Sequence, residues 1–178
     1  RESLDLALSN IHIPNDTRSL EAARYRLKFE ELVCRQLALL RQKNVRMSGS
    51  SGILFPRVGQ AFNYCYRKLP YELTGAQKRV IKEIRRDTVS GKQMNRLLQG
   101  DVGSGKTMVA LLTALIAVDN GYQACVMAPT EVLAVQHFRN FERSLADSPV
   151  RIALLTGSSK AKERRELDAC LRAGTINS

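Results

Sequence analysis

Gly100-Asp101-Val102-Gly103-Ser104-Gly105-Lys106-Thr107 decides how this chain is to be read. The run fits Gly-x-x-x-x-Gly-Lys-Thr in full. Glycines at 100, 103 and 105 permit a tight backbone path that turns successive amides toward one point, a nest for an anion. A helix predicted to begin at Lys106 adds its free N-terminal amides and its dipole at the same place. Lys106 is expected to bring a point charge to the β and γ phosphates of a nucleoside triphosphate, and the Thr107 hydroxyl to ligate Mg²⁺. Asp101, Val102 and Ser104 complete the loop and count among the expected nucleotide contacts. A glycine turn can match this pattern by chance. Its place between a predicted strand and a predicted helix favours the functional reading.

Outward from the loop, strand and helix patterns alternate. Residues 95–99 read as a short strand running into the loop, and 106–120 as a helix ended by Gly121. Residues 123–128 read as a buried strand, followed by Pro129-Thr130 and a helix at 131–145. A third strand, 150–155, leads through Thr156-Gly157-Ser158 to a helix at about 160–172. Upstream, 75–88 is predicted helical, with Val80, Ile81 and Ile84 on one face. Strands alternating with helices of this length predict an α/β fold with a parallel sheet of about three strands and helices on both faces.

The N-terminal part reads as helix, capped at Asn15, Asp16 or Thr17 and running to about Lys43. Leu20, Ala23 and Leu27, then Phe29, Leu32, Val33, Leu37 and Leu40, recur at helical spacing. Arg24, Lys28, Arg35 and Arg41 decorate its other faces, and the pattern fits a packing helix with a solvated basic face better than direct reading of nucleic acid. Residues 44–52 lose periodicity around Ser48-Gly49-Ser50-Ser51-Gly52 and are expected to form a flexible loop. The expected organisation is a helical appendage over 1–68 and a motor domain over 69–178.

The composition is that of an ordinary globular chain, 44% hydrophobic and 25% charged, but 28 basic against 17 acidic residues leave a net charge of +11. The surplus is shared by both halves and favours a polyanionic partner, nucleic acid before anionic membrane, although a solvated basic surface is the plainer alternative. Cys34, Cys65, Cys125 and Cys170 are scattered, with no CxxC pair and neither His12 nor His137 nearby in sequence. Free thiols in a reducing compartment fit this better than a zinc site. No apolar run reaches the length of a membrane span, no signal-peptide pattern is present, and a cytoplasmic location is expected. The opening Arg1 is read as the start of a cut piece.

Four further features bear on chemistry. In Leu73-Thr74-Gly75-Ala76-Gln77 the Thr-x-x-Gln spacing is a capping box, yet the Gln77 amide also offers the donor–acceptor pair that matches an adenine edge. Pro129-Thr130-Glu131 and Thr156-Gly157-Ser158 each follow a predicted strand and precede a helix, where ligands of open α/β sheets collect. Both suit phosphate contact, and both suit plain N-capping; Lys160, Lys162, Arg164 and Arg165 tilt the second toward phosphate. His137, beside Gln136 in a predicted helix, reads as a packing or surface histidine. Finally, none of the acids after the loop, Asp119, Glu131, Glu142, Asp147, Glu163, Glu166 and Asp168, follows a strand as the Asp-Glu pair that would hold Mg²⁺ and polarise water. A complete catalytic set is therefore not expected within these residues.

Leu69 to Ile84 (LPYELTGAQKRVIKEI), Gln93 to Ala110 (QMNRLLQGDVGSGKTMVA) and Ala128 to His137 (APTEVLAVQH) together resemble the first motor domain of the RecG family of bacterial ATP-dependent DNA helicases. Ile11-His12-Ile13-Pro14, Arg26 to Leu32 and Phe55-Pro56-Arg57-Val58-Gly59 are similar to the segment joining that family's wedge domain to its motor. The resemblance implies a partial RecA-like fold, ATP and Mg²⁺ as cofactors, and branched DNA, forks and Holliday junctions, as partner in recombination and repair at the nucleoid. It makes Gln77 the adenine reader, Lys106 and Thr107 the phosphate and metal contacts, and Pro129, Thr130, Glu131, Thr156, Gly157 and Ser158 contacts to DNA, to which Lys160 is added for its charge beside the second stretch. It also implies that a wedge domain would precede residue 1 and that the catalytic acids, second motor domain and arginine finger would follow residue 178. A monomeric parent is expected, with self-association of the isolated piece, which should not hydrolyse ATP. The alternatives are another superfamily 2 translocase, such as a transcription-repair coupling factor, or an inert nucleotide- and DNA-binding module.

Overall fold

The computed structural model describes residues 3–49 and 51–174. The chain divides into two compact units, residues 1–50 and 51–178.

The first unit is a pair of packed helices, α1 (Leu4–His12) and α2 (Thr17–Gly49). Ser3 caps α1, its hydroxyl accepting from the Leu6 amide at 3.3 Å. Asp16 and Ser19 close the start of α2 reciprocally. The Ser19 amide donates to Asp16 Oδ1 at 2.7 Å and the Asp16 amide to Ser19 Oγ at 3.1 Å, which satisfies amides a helix start would otherwise leave open. The bond from the Ser19 amide, then that from its hydroxyl, hold the Asp16 carboxyl below its ordinary range. Ala7 and Ala23 are fully buried, small side chains that let two helices lie close. Arg26–Glu30 and Glu31–Arg35 pairs at 3.0 and 2.6 Å add modest i,i+4 support.

The loop expected over 44–52 is in large part helix, because α2 continues through Gly49. Loss of apolar periodicity is not loss of helicity. An exposed turn needs only good propensity, which Arg41, Gln42 and Lys43 supply, and Gly49 falls at the helix end where glycine is favoured. Ser50 lies outside the described residues.

The second unit is organised around α5 (Lys106–Asp119), apolar on nearly every side, with Val109, Leu111, Leu112, Leu115, Ile116 and Ala117 buried. A helix of that kind is stable only when surrounded. It packs against α3 (Gln60–Lys68) through Ala61 and Cys65, and against α4 (Gly75–Thr88) through Ile81 and Ile84. Burial raises the pKa of the Cys65 thiol above its ordinary range. Helices α6 (Glu131–Ser144) and α7 (Ala161–Arg172) complete the unit.

The expected parallel sheet is corrected: among the described residues there is no strand and no sheet, only an isolated bridge between Ser51 and Lys92. Segments 95–99, 123–128 and 150–155 run outside any helix, but no backbone ladder joins them. Apolar patterning identifies a segment suited to a sheet; only lateral hydrogen bonds at strand spacing make one. Here an apolar cavity of about 470 Å³ is lined jointly by 124–128, 152–155 and faces of α5, α6 and α7. Leu97 and Met127 are 89% and 90% exposed, so the faces a sheet would bury are left uncovered. The segments are held instead by side chains: Leu98, Val150 and Ile152 pack on the core. Arg96 pairs with Glu83 at 3.0 Å and with Asp87, and Gln123 donates to Leu171 O at 2.9 Å.

Residues 51–59 form a strap across the ends of α4 and α5, leading into α3. Phe55 N bonds Thr88 O at 3.0 Å, Gly52 N bonds Gly91 O at 2.8 Å, and the Arg85 guanidinium donates to the carbonyls of Phe55 and Pro56. At the end of α5, Asn120 pairs with both backbone groups of Arg57, at 3.0 and 2.8 Å. The Asp119 carboxylate accepts from the amides of Gly59, Ala61 and Phe62 at 2.8, 2.9 and 3.1 Å. Those are orphan amides at the start of α3, so this carboxylate serves as the cap that Gly59 cannot supply. Replacing Asp119 by Ala strands three amides and should lower stability by about 2–3 kcal/mol, read as a drop in urea midpoint at constant slope. An unchanged midpoint would show that α3 needs no cap.

Candidate functional site

Besides Gly59 at α3, three helix starts in the second unit are led by threonine or glycine, and they are finished differently. Thr74 Oγ1 accepts from the Gln77 amide at the start of α4, and Thr130 Oγ1 from the Leu133 amide at the start of α6, each at 3.3 Å. The start of α5 has no side-chain cap; its N-cap is Gly105 in the left-handed region, with φ 78°. The open amides of α5 thus face the loop 100–105, as an anion nest requires.

Two glycines in this loop are required by geometry. Gly103 has φ 81°. At Gly105 the left-handed backbone coincides with close approach, since a Cβ there would lie 2.3 Å from Gln77 Nε2. Val102 at the loop tip is fully exposed. Within the loop the Ser104 amide donates to Asp101 O at 3.2 Å. Lys106 curls back so that its ammonium donates to Gly100 O and Asp101 O, both at 2.7 Å.

Gln77 joins this loop to α4. Its Oε1 accepts from the Thr74 amide at 2.8 Å, completing a reciprocal capping box, and its Nε2 donates to Ser104 O at 2.8 Å. The two readings of Gln77 are therefore compatible. A primary amide carries two N–H donors and two acceptor lone pairs, so after both bonds one donor and one acceptor remain.

The other expected contacts meet at the starts of α6 and α7. The Ser158 hydroxyl donates to Glu131 Oε1. Thr156 Oγ1 lies 3.0 Å from Ser158 Oγ and 3.3 Å from Ser159 Oγ, and the Thr156 amide donates to Ser159 Oγ at 3.0 Å. A Cβ on Gly157 would come within 4.0 Å of Glu131 Oε2. The hydroxyl of Ser158 and then that of Thr156 hold the Glu131 carboxyl below its ordinary range, so it is charged at neutral pH. Pro129 and Thr130 stand at the head of α6, with the Thr130 hydroxyl engaged in capping.

The four basic residues that follow are not equivalent. Lys160 and Arg165 are exposed with no ion pair among the described residues. Lys162 sits 3.8 Å from Glu166. Arg164, itself exposed, folds back on the preceding turn: its Nη2 donates to Thr156 O at 2.6 Å and Gly157 O at 3.4 Å, and its Nε to Ser159 O at 3.2 Å. Sequence reasoning grouped Arg164 with the outward charges; only its position five to eight residues after those carbonyls, one helical turn into α7, hinted otherwise. His137 stacks on Phe141 at 6.2 Å and borders the apolar cavity, a packing role.

An uncapped helix behind a glycine loop that carries Lys106 and Thr107 defines a P-loop nucleotide-binding domain. The chain belongs to the DEAD/DEAH box helicase family, whose model matches residues 74–176. It is similar to proteins named ATP-dependent DNA helicase RecG. That of Synechocystis sp. is 41% identical over 97% of this chain and 21% of its own length. That of Thermotoga maritima is 40% identical over 96% and 22%, and that of Bacillus subtilis 40% over 96% and 25%. A solved structure described as RecG bound to a three-way DNA junction superposes with a TM-score of 0.80 at 42% identity, covering 96% of this chain and 23% of that one. The chain thus spans about a fifth to a quarter of the length of its curated relatives, and the resemblance to the RecG family stands. No helix among the described residues is long and apolar enough to cross a membrane.

Gly105→Ala should disable the loop, because it combines backbone strain with a clash against Gln77. Nucleotide affinity should fall at least tenfold, equivalent to about 1.4 kcal/mol, while Gly121→Ala, at a positive φ with open space around it, should spare affinity. Wild-type affinity for Gly105→Ala, measured by calorimetric titration, would refute the close packing at this point.

Proposed function

We propose that the chain supplies the nucleotide-binding part of the first motor domain of an ATP-dependent DNA helicase that remodels branched DNA, acting in the bacterial cytoplasm at the nucleoid. The observation that carries this reading is the Gln77 bridge. One side chain is bonded to the phosphate loop at Ser104 O and keeps a free donor and acceptor for a base edge.

In this reading the adenine edge meets Gln77 and the triphosphate lies across 100–107. Lys106 exchanges two neutral carbonyl partners for phosphate oxygens, a stronger, charge-assisted pairing. Among the described residues no group of three His, Cys, Asp or Glu side chains is placed to hold a metal ion. Within these residues Thr107 Oγ1, together with the phosphates, would supply oxygen ligands to Mg²⁺, of the kind suited to a hard cation. The ion would neutralise charge on the β and γ oxygens. The starts of α6 and α7, with Pro129, Thr130, Glu131, Thr156, Gly157, Ser158 and Lys160, form the surface for a DNA backbone. Hydroxyls and amides there position a phosphate without reading sequence. The net charge of +11 favours association with a polyanion.

Mg·ADP at one hundred times its Kd should stabilise the chain by about 2.7 kcal/mol, seen as a melting temperature that rises with ligand concentration. Lys106→Ala should lose that rise over the same concentrations. Equal rises in both proteins would remove the site.

A further inference from the structure

Glu131 is an awkward member of a surface meant for phosphate. A carboxylate at the head of α6 is favoured by the helix dipole, but it repels a phosphate backbone. Its geometry gives it another task. Both oxygens face the Thr156–Ser158 turn: Oε1 takes the Ser158 hydroxyl, and Oε2 lies 4.0 Å from where a Gly157 Cβ would be. On the same turn, Arg164 takes the carbonyls of Thr156, Gly157 and Ser159.

We propose that Glu131 and Arg164 are positioning residues that grip the Thr156–Ser159 turn from its hydroxyl side and its carbonyl side, fixing the groups that meet the DNA backbone. This rests on the reading that the starts of α6 and α7 take a phosphate backbone. The turn is held by opposite charges on opposite kinds of group. The carboxylate accepts from hydroxyls and the guanidinium donates to carbonyls. Both are charge-assisted bonds, roughly twice as strong as neutral ones. Carbonyls drawn toward Arg164 are kept from the phosphate path, where their partial negative charge would oppose binding. Glu131 also ties the head of α6 to the approach of α7, so that two stretches 25 residues apart act as one surface. Lys160 and Arg165, outside the grip, carry the long-range attraction.

The proposal predicts effects of opposite sign to a purely electrostatic account. Binding of a fluorescent, forked DNA oligonucleotide to the 178-residue chain is measured across a salt series. Removing a negative charge beside a polyanion should tighten binding if Glu131 acts through charge alone. The grip predicts instead that Glu131→Ala weakens binding about tenfold, the scale of losing one charged hydrogen bond, and that Glu131→Gln, which retains an acceptor, recovers most of the loss. Arg164→Lys and Arg164→Ala should both weaken binding with the slope of log affinity against log salt unchanged. A direct phosphate contact would leave Arg164→Lys near wild type and lower the slope for Arg164→Ala by about one. Tighter binding by Glu131→Ala, or that slope pattern at Arg164, overturns the proposal. Amide hydrogen exchange without DNA supplies an independent reading. The grip requires faster exchange at residues 156 and 159 in Glu131→Ala and Arg164→Ala, with α5 unaffected; unchanged exchange there also overturns it. If the wild-type chain binds no forked DNA, the proposed DNA surface fails while the exchange result still decides whether the turn is gripped.

Discussion

One hydrogen-bonded side chain ties the glycine loop to the start of α4. The Gln77 carboxamide closes the cap of α4 with its oxygen and fastens the phosphate loop with its nitrogen, each at 2.8 Å. Glycine at 105 answers first to the left-handed backbone, φ 78°, and a Cβ there would also push the Gln77 nitrogen out of its bond to Ser104 O. Helix α5, whose uncapped start continues from the loop, is placed by its apolar body, which forms the core of the unit. At the far end of α5, Asp119 and Asn120 bind the strap at 57–59 and the start of α3. A single helix therefore carries the anion nest at one end and the anchor of the preceding segment at the other.

Charge is used in two distinct ways around this frame. Groups bonded within the chain do structural work: Asp119 caps α3, Arg85 and Arg96 hold loop segments, and Glu131 and Arg164 face the same turn. Outward groups such as Lys160 and Arg165 remain available to a polyanion. Counting basic residues cannot separate the two classes, because a guanidinium folded onto carbonyls and one in solvent contribute equally to a net charge.

Much of the helical frame around the candidate site was legible in the sequence, and the misses have physical causes. Helices α4, α5, α6 and α7 were placed closely, since caps at Thr74 and Thr130 and apolar spacing along 106–119 are local signals. The turn of the glycine loop was legible because its glycines at 103 and 105 answer to local backbone constraints. The sheet was not, because pairing is non-local: 123–128 and 150–155 have the apolar character of strands yet form no ladder among the described residues. The extent of α2 was missed because helix propensity persisted after apolar periodicity stopped. Helix α3 went unread because its cap, Asp119, lies 57 to 60 residues away along the chain. The fold-back of Arg164 likewise depends on a tertiary turn that spacing alone does not announce.

The central claim is that Gln77 couples the phosphate loop to recognition of an adenine edge. Calorimetric titration of the 178-residue chain with Mg·ATP and with Mg·GTP, for wild type and Gln77→Ala, tests it most directly. The account predicts that wild type prefers ATP, since guanine presents a carbonyl where adenine offers an amino donor, and that Gln77→Ala loses both the preference and part of the affinity for either nucleotide, because the loop loses its tether. Equal affinity of the wild-type chain for ATP and GTP, or a preference that survives in Gln77→Ala, would contradict it.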